Sequence, residues 1–467
     1  MTRLNFCIFL IAAVLYIFCS GITMRDRVLI NALHRIENDS LVRPTAKQLF
    51  EGAMTGMIQE LNHSLGDPFS AYIPFSEQKE YEENLDNRYD GIGIVYRETP
   101  IDKEMEIIYP ILDSPAHKAG IRSGDKLLRV NGKETKGLTF YEVSDLFKSD
   151  PKQKIELAIL PYDKTEPVEF SVSSAPIFRD SVEGDGIDAG GRRIFCLSDN
   201  PEIAYLRITS FGHRTAMEVH TALKQISEDN ARSLILDLRN NPGGYVDICV
   251  EIAGLFLQPT PEHDIIVSTR LGDGTVKMIY RLGQQTQICH LPMVVLIDGE
   301  SASAAEILSA ALQDYGRATI VGSRSFGKGT VQEIVPLPLN SGTLQLTDAS
   351  YWRPSNKNIH RVQDAQESDS WGVIPDAEGL VTLSGVQRYA TFQIRERRSN
   401  YVSENSERLL EQFFRCLPDE VREIQTSQKK MEKTPDETKS EDEPFTLQGK
   451  PPYYDPQLDK AIEILKR

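Results

Sequence analysis

The sequence is short of the residues that build disulfide scaffolds and metal centres. Its six cysteines, Cys7, Cys19, Cys196, Cys249, Cys289 and Cys416, make no CxxC pair and no Cys/His cluster. A metal site has little support, and single buried thiols are expected, with room for one disulfide among the last four. Positive charge is scarce too: 52 Lys and Arg stand against 68 Asp and Glu, a formal net charge of −16. That sign argues against nucleic acid as a partner and suits a soluble, self-repelling surface. No GxxxxGK[ST] run occurs, which removes the phosphate-loop reading of the glycine-flanked Lys328. There is no internal repeat, and nothing in the chain calls for a cofactor.

What is present begins with a nearly uncharged run from Leu4 to Met24, preceded by Arg3 and followed by Arg25 and Arg27. Its apolar heart, Phe6 to Phe18, has the size of a signal-peptide h-region, while the whole run of about 20 residues is long enough to span a bilayer. Both readings put the rest of the chain outside the cytoplasm. Ile17, Phe18 and Cys19 occupy the place where a small-x-small cleavage site would stand. An uncleaved membrane anchor is therefore expected in preference to a cleaved signal, and the bulky Phe18 speaks against lipid attachment at Cys19.

The remaining 440-odd residues read as an α+β multidomain chain. Residues 25–88 are a helical segment, amphipathic from Val28 to Leu65 and ended by the turn Asp67-Pro68-Phe69-Ser70-Ala71-Tyr72. Residues 89–174 carry short alternating strands, glycine turns and one short helix, the signals of a small β-rich domain. From 175 to 390 the period becomes strand, helix, strand, with buried runs such as Leu234-Ile235-Leu236, so a layered α/β core is expected. Residues 391–467 return to helix at Glu404–Cys416 and Tyr453–Arg467, around a charged stretch, Thr426 to Pro444, read as a mobile surface loop.

The chemistry gathers in Met293 to Gln332. A buried strand breaks at Asp298-Gly299-Glu300 and restarts as a helix whose first turn holds Ser301 and Ser303. A second apolar run leads to Ser325-Phe326-Gly327-Lys328-Gly329. A serine hydroxyl needs a base, and no histidine lies near Ser303 in sequence. A lysine can serve once burial pushes its amine below the usual ~10.4. Gln332, four residues on, can orient that amine without adding charge. Backbone donors for an oxyanion are offered by Gly243 and Gly244, after the strand Leu234 to Leu238, and by Ala304 at a helix N-terminus. Local physics leaves Ser301 and Ser303 both open as nucleophile, with Ser301 alternatively the helix N-cap.

Two resemblances extend this reading. The run SPAHKAGIRSGDKLLRVNGKE resembles a PDZ domain, which implies a groove for a peptide C-terminus. Amides of Gly91 to Gly93 would hold the carboxylate, with Ile92 and Ile94 lining a pocket and the peptide adding a strand. DLRNNPGG, GESASAAEILSAALQDYGRA and VGSRSFGKGTVQ, in this order, are similar to the carboxyl-terminal processing proteases. DPFSAY and DPQLDKAIEIL extend the match over most of the chain. The resemblance implies a crotonase-like α/β catalytic core, Ser303 as nucleophile, Lys328 as general base and Gln332 as its orienting partner. It gives Glu306 and Asp314 supporting structural roles. Arg239 is read as a structural ion-pair former. The chain departs from the family pattern at Ala305, where a third small hydroxyl residue is frequent; the dyad is untouched.

The expectation is an extracytoplasmic serine endopeptidase acting on proteins and peptides with accessible C-termini. The alternatives are a membrane-tethered PDZ scaffold or chaperone on an inactive core, and an acyl-CoA enzyme sharing the fold. A further expectation is that the PDZ module blocks the active site until a peptide tail binds.

Overall fold

The computed structural model describes residues 23–99, 103–147, 154–260, 263–283, 287–401 and 455–467. The apolar N-terminal run up to residue 22, the helix expected at Glu404–Cys416 and the charged stretch 426–444 lie outside the described residues. No described helix is long and apolar enough to cross a membrane.

The described residues divide into two compact units, one comprising those up to Gln78 together with Gln332–Thr347 and the other the remainder. In the first unit, the single helical stretch expected from Val28 to Leu65 is two helices, Met24–Asp39 and Ala46–Ser64. Pro44 cannot continue a helix, and Thr45 opens the second one by a capping box with Gln48. The Asp67 carboxylate then ties the following turn, accepting from the amides of Phe69 and Ser70 and from the Thr347 hydroxyl at 2.9–3.2 Å. This fixes Ala71–Ile73 antiparallel to Thr343–Gln345.

The second unit holds the β-rich module and the α/β core. The module is an antiparallel sheet in which Ile94–Glu98 is an edge strand next to Met105–Pro110. Its core is aliphatic, with Ile107, Leu127, Val130, Ile155, Leu157 and Ile159 fully buried or nearly so. Arg88–Gly91 and Ala175–Phe178 pair antiparallel where the chain enters and leaves it.

The core is a sheet centred on four parallel strands: β1 (Asn200–Ile208), β2 (Ser233–Asp237), β3 (Met293–Ile297) and β4 (Thr319–Gly322). Parallel strands covered on both faces must be apolar throughout, which is why Met293-Val294-Val295-Leu296-Ile297 is buried at every position. Alternate side chains serve different layers. Leu206, Leu234, Leu236, Val295 and Ile297 pack on helices α1 (Thr215–Glu228), α2 (Val246–Phe256) and α3 (Ala304–Asp314). Tyr205, Ile235, Val294, Leu296 and Val321 face the opposite layer, where the last helix of the chain, Pro456–Leu465, contributes Leu458 and Ala461. Loops leaving the carboxyl ends of β2, β3 and β4 carry the DLRNNPGG turn, the two serines and the GKG lysine.

Candidate active site

Ser303 caps α3 with φ 56° and ψ −118°, a conformation that L residues rarely adopt. Such strain persists only where surroundings impose it. Here the imposing group is Glu306, fully buried at the third helical position. Its Oε2 accepts from the Ser303 amide at 2.9 Å and from the Lys328 amide at 2.8 Å. Its Oε1 accepts from the Ser325 hydroxyl at 2.6 Å and the Gly327 amide at 2.7 Å. One oxygen thus holds the backbones of both expected dyad residues, which cannot lie farther apart than those two contacts together. The sequence reading gave Glu306 only a supporting role. Its place three residues after Ser303, the capping-box spacing, was the available signal.

Ser301 has a different fate. It is 0% exposed, and its hydroxyl donates to the Leu238 carbonyl at 2.8 Å while accepting from the Asp298 amide at 2.9 Å. It is neither the helix cap nor an available hydroxyl. Ser303, at 9% exposure, is the helix cap.

The Lys328 amine is partly buried, and burial holds it below its ordinary value while the Glu306 charge pulls it back up. Burial also pushes the Glu306 carboxyl up to about 7, against the lowering effect of its four hydrogen bonds. Gln332 sits in the strand Thr330–Pro336, where its carboxamide donates to the Thr347 hydroxyl at 3.2 Å. Asp314 binds the Arg353 guanidinium through both oxygens at 2.7 and 2.9 Å, a structural pair at the end of α3.

The expected oxyanion glycines come close to the Ser303 turn. A Cβ on Gly243, at φ +100°, would lie 2.7 Å from Ser303 Cβ and 2.9 Å from both the Ala302 carbonyl oxygen and the Ala304 nitrogen. One on Gly244, at φ +146°, would meet the Phe211 carbonyl oxygen at 2.3 Å. The Gly243 amide, however, donates to Asn241 Oδ1 at 2.8 Å, so in this conformation it is turned toward its own loop. Ala304, the first residue of α3, has an N–H that no helical carbonyl reaches. Gly243→Ala should lower kcat on an unfolded test protein by about 10²-fold or more, through displacement of the serine turn. Gly274→Ala, at φ +85° with nothing within 4 Å, is the control for backbone strain alone and should leave kcat unchanged.

In the β-rich module the carbonyls of Gly91–Ile94 are partly committed. Ile92 O accepts from the Ala116 amide at 2.9 Å, and Gly93 O from the Ile111 amide at 2.9 Å and the Ser114 hydroxyl at 3.2 Å. Gly91 belongs to the short ladder with Ala175. Ile92 was expected to line a pocket but is 3% exposed in the module core, because the turn at Gly93 (φ +80°) folds it inward. Ile94 stays half-buried on the edge strand. Beyond it, Tyr96 stacks on Phe140 of the helix Phe140–Phe147, with ring centroids 5.1 Å apart.

Comparison with known proteins agrees with this architecture. A model of peptidase family S41 matches residues 202–378, and a PDZ domain model matches residues 106–161. A carboxy-terminal-processing protease of Bartonella bacilliformis is 33% identical over 348 residues, covering 73% of this chain and 72% of the relative. The chain belongs to peptidase family S41. The carboxy-terminal processing protease CtpA of Bacillus subtilis is 31% identical over 71% of this S41 peptidase and 66% of its own length. A carboxyl-terminal-processing protease of Synechocystis is 30% identical, covering 68% of the chain and 69% of the relative. This is a multidomain, serine-type carboxy-terminal processing peptidase with a PDZ domain, as the sequence reading expected.

Among the described residues, Cys196, Cys249 and Cys289 are free thiols. The Cys249 thiol lies beneath the site and donates to the Ala304 carbonyl at 3.2 Å, helping to seat the start of α3.

Proposed function

We propose that this S41 peptidase cleaves proteins near their C-termini with a Ser303–Lys328 dyad, the PDZ module holding the substrate tail. The observation that carries this reading is the Glu306 carboxylate, which draws the backbones of Ser303 and Lys328 to a single oxygen. A neutral Lys328 amine takes the Ser303 Oγ proton as Oγ bonds to the substrate carbonyl carbon. The ammonium then protonates the departing amine, leaving an acyl-enzyme. Water, losing its proton to the same amine, attacks the ester and releases the new C-terminus and Ser303. Ala304, Gly244 and a reoriented Gly243 amide are the candidate donors to the oxyanion, and Gln332 is the candidate partner of the amine. The place of Ile94–Glu98 at the edge of its sheet supports strand addition by a peptide tail, with the Gly91–Gly93 amides for its carboxylate. The apolar N-terminal run supports an extracytoplasmic, membrane-anchored enzyme.

The test is mass spectrometry of products from one unfolded protein carrying either a free or an amidated C-terminus. Cleavage should be faster for the free form, by about tenfold in kcat/KM, since a charge-assisted carboxylate contact contributes ~1.5–3 kcal/mol. Equal rates would remove tail recognition, and no cleavage of either would remove the peptidase reading.

A further inference from the structure

The final helix of the chain reaches the catalytic loops through one buried arginine. Arg239 opens the turn after β2, and its guanidinium is enclosed by three side chains. Nε and Nη2 bind Asp237 at 2.6–3.1 Å, Nη1 and Nη2 bind the two oxygens of Asp455 at 3.0 Å each, and Nη1 also donates to Gln457 Oε1 at 3.1 Å. Asp455 and Gln457 stand 216 and 218 residues away, at the start of the last helix, Pro456–Leu465. From Arg239 the constraint passes directly to the serine. Asn240, at φ 56°, donates from its amide and its Nδ2 to Asp298 at 3.0 and 3.1 Å. The carbonyl of Asn241 accepts from the Ala302 amide at 2.9 Å, and Gly243 lies against Ser303.

We infer that Asp455 is a positioning residue for catalysis: through Arg239 it sets the Asn240–Gly244 turn against Ser303, so the last helix completes the active site. The inference rests on the peptidase reading of Ser303 but can fail separately from it.

Two features make it testable in the full-length protein. Asp455 also caps its own helix, accepting from the Leu458 amide at 3.1 Å, and asparagine caps a helix equally well. In Asp455→Asn, moreover, Arg239 stays neutralised by Asp237, so no buried charge is stranded. The variant therefore keeps the helix cap and the charge balance but breaks the bidentate hold, setting an NH₂ group against one Arg239 N–H where an acceptor stood. The control is Leu458→Ala, which loosens the same helix through its apolar contacts with Val294, Leu296 and Val321.

Well below the melting temperature of every variant, Asp455→Asn should lower kcat by about 10- to 100-fold with KM changed less than twofold, as expected for misplacement of catalytic groups. Labelling of Ser303 by a fluorophosphonate should slow by a similar factor. Asp455→Glu should recover part of both, while Leu458→Ala should lower the melting temperature and keep wild-type kcat. A wild-type kcat in Asp455→Asn, or an equal loss in Leu458→Ala, would overturn the inference. Cleavage retained in Ser303→Ala would instead overturn the peptidase reading on which it rests.

Discussion

Replacing Ser303 by alanine is expected to abolish peptide cleavage, lowering kcat by about 10⁴-fold or more without unfolding the protein. The side chain is small and the hydrogen bond from the residue's backbone N–H to the Glu306 carboxylate survives, so the fold loses one hydroxyl and no packing. Lys328→Ala should reach a similar floor, because nothing then accepts the Ser303 proton. Lys328→Arg should be equally inactive, since a guanidinium stays protonated. Ser301→Ala separates the two serines by a different signature. It removes bonds to Leu238 and Asp298 and so should lower thermal stability, while a fraction of the activity survives. The sign of the pH dependence follows from the amine. Burial holds Lys328 below its ordinary value, and the proposed mechanism uses the neutral amine as base, so kcat/KM should rise with pH through that lowered value. A rate that fell over the same range, with the enzyme still folded, would contradict Lys328 as the base.

The parallel core was readable from sequence because its cause is local. Leu234-Ile235-Leu236 and Met293 to Ile297 are apolar at consecutive positions, which only a doubly covered strand requires. Once those strands were placed, the Gly243, Ser303 and Lys328 loops fell at their carboxyl ends. The choice between Ser301 and Ser303 was not local. What favours Ser303 is the engagement of the Ser301 hydroxyl by the Leu238 carbonyl, 63 residues away, and the backbone twist at Ser303 itself. Glu306 shows the same limit in another form: its spacing announced a helix cap, but three of its four donors come from residues 19, 21 and 22 positions away. Arg239 was correctly read as an ion-pair former, yet only the fold reveals that one partner comes from the last helix. The break at Pro44, by contrast, was local and legible, and the long amphipathic pattern masked it.

Glu306→Gln should cost about 10²-fold in kcat and move the acid limb of the pH–rate profile to lower pH. A carboxylate presents two acceptors to four donors, whereas a carboxamide presents one oxygen and an NH₂ group. Placed at Oε1, the NH₂ can be met by rotation of the Ser325 hydroxyl, but the Gly327 amide loses its acceptor. Placed at Oε2, it faces the amides of Ser303 and Lys328, which is worse. Each stranded buried donor costs ~1–3 kcal/mol, enough to let the GKG loop shift from the serine. The shift of the limb has a separate cause. With the carboxylate gone, its upward pull on the Lys328 amine is lost, so the amine becomes neutral at lower pH. The Glu306 contribution to stability and the activity should respond to pH in opposite senses in the wild type. The Glu306 carboxyl rises from an ordinary 4.5 to about 7 on folding, so the folded state holds this proton more tightly. Its contribution to stability is therefore present below about 4.5 and is lost as pH rises through 7. Activity should instead fall as pH drops through 7, because the protonated carboxyl turns one acceptor into a donor facing the loop amides. Melting temperature and kcat/KM measured from pH 5 to 9 in wild type and Glu306→Gln would show both, and profiles that matched in the two proteins would remove Glu306 from the control of the site.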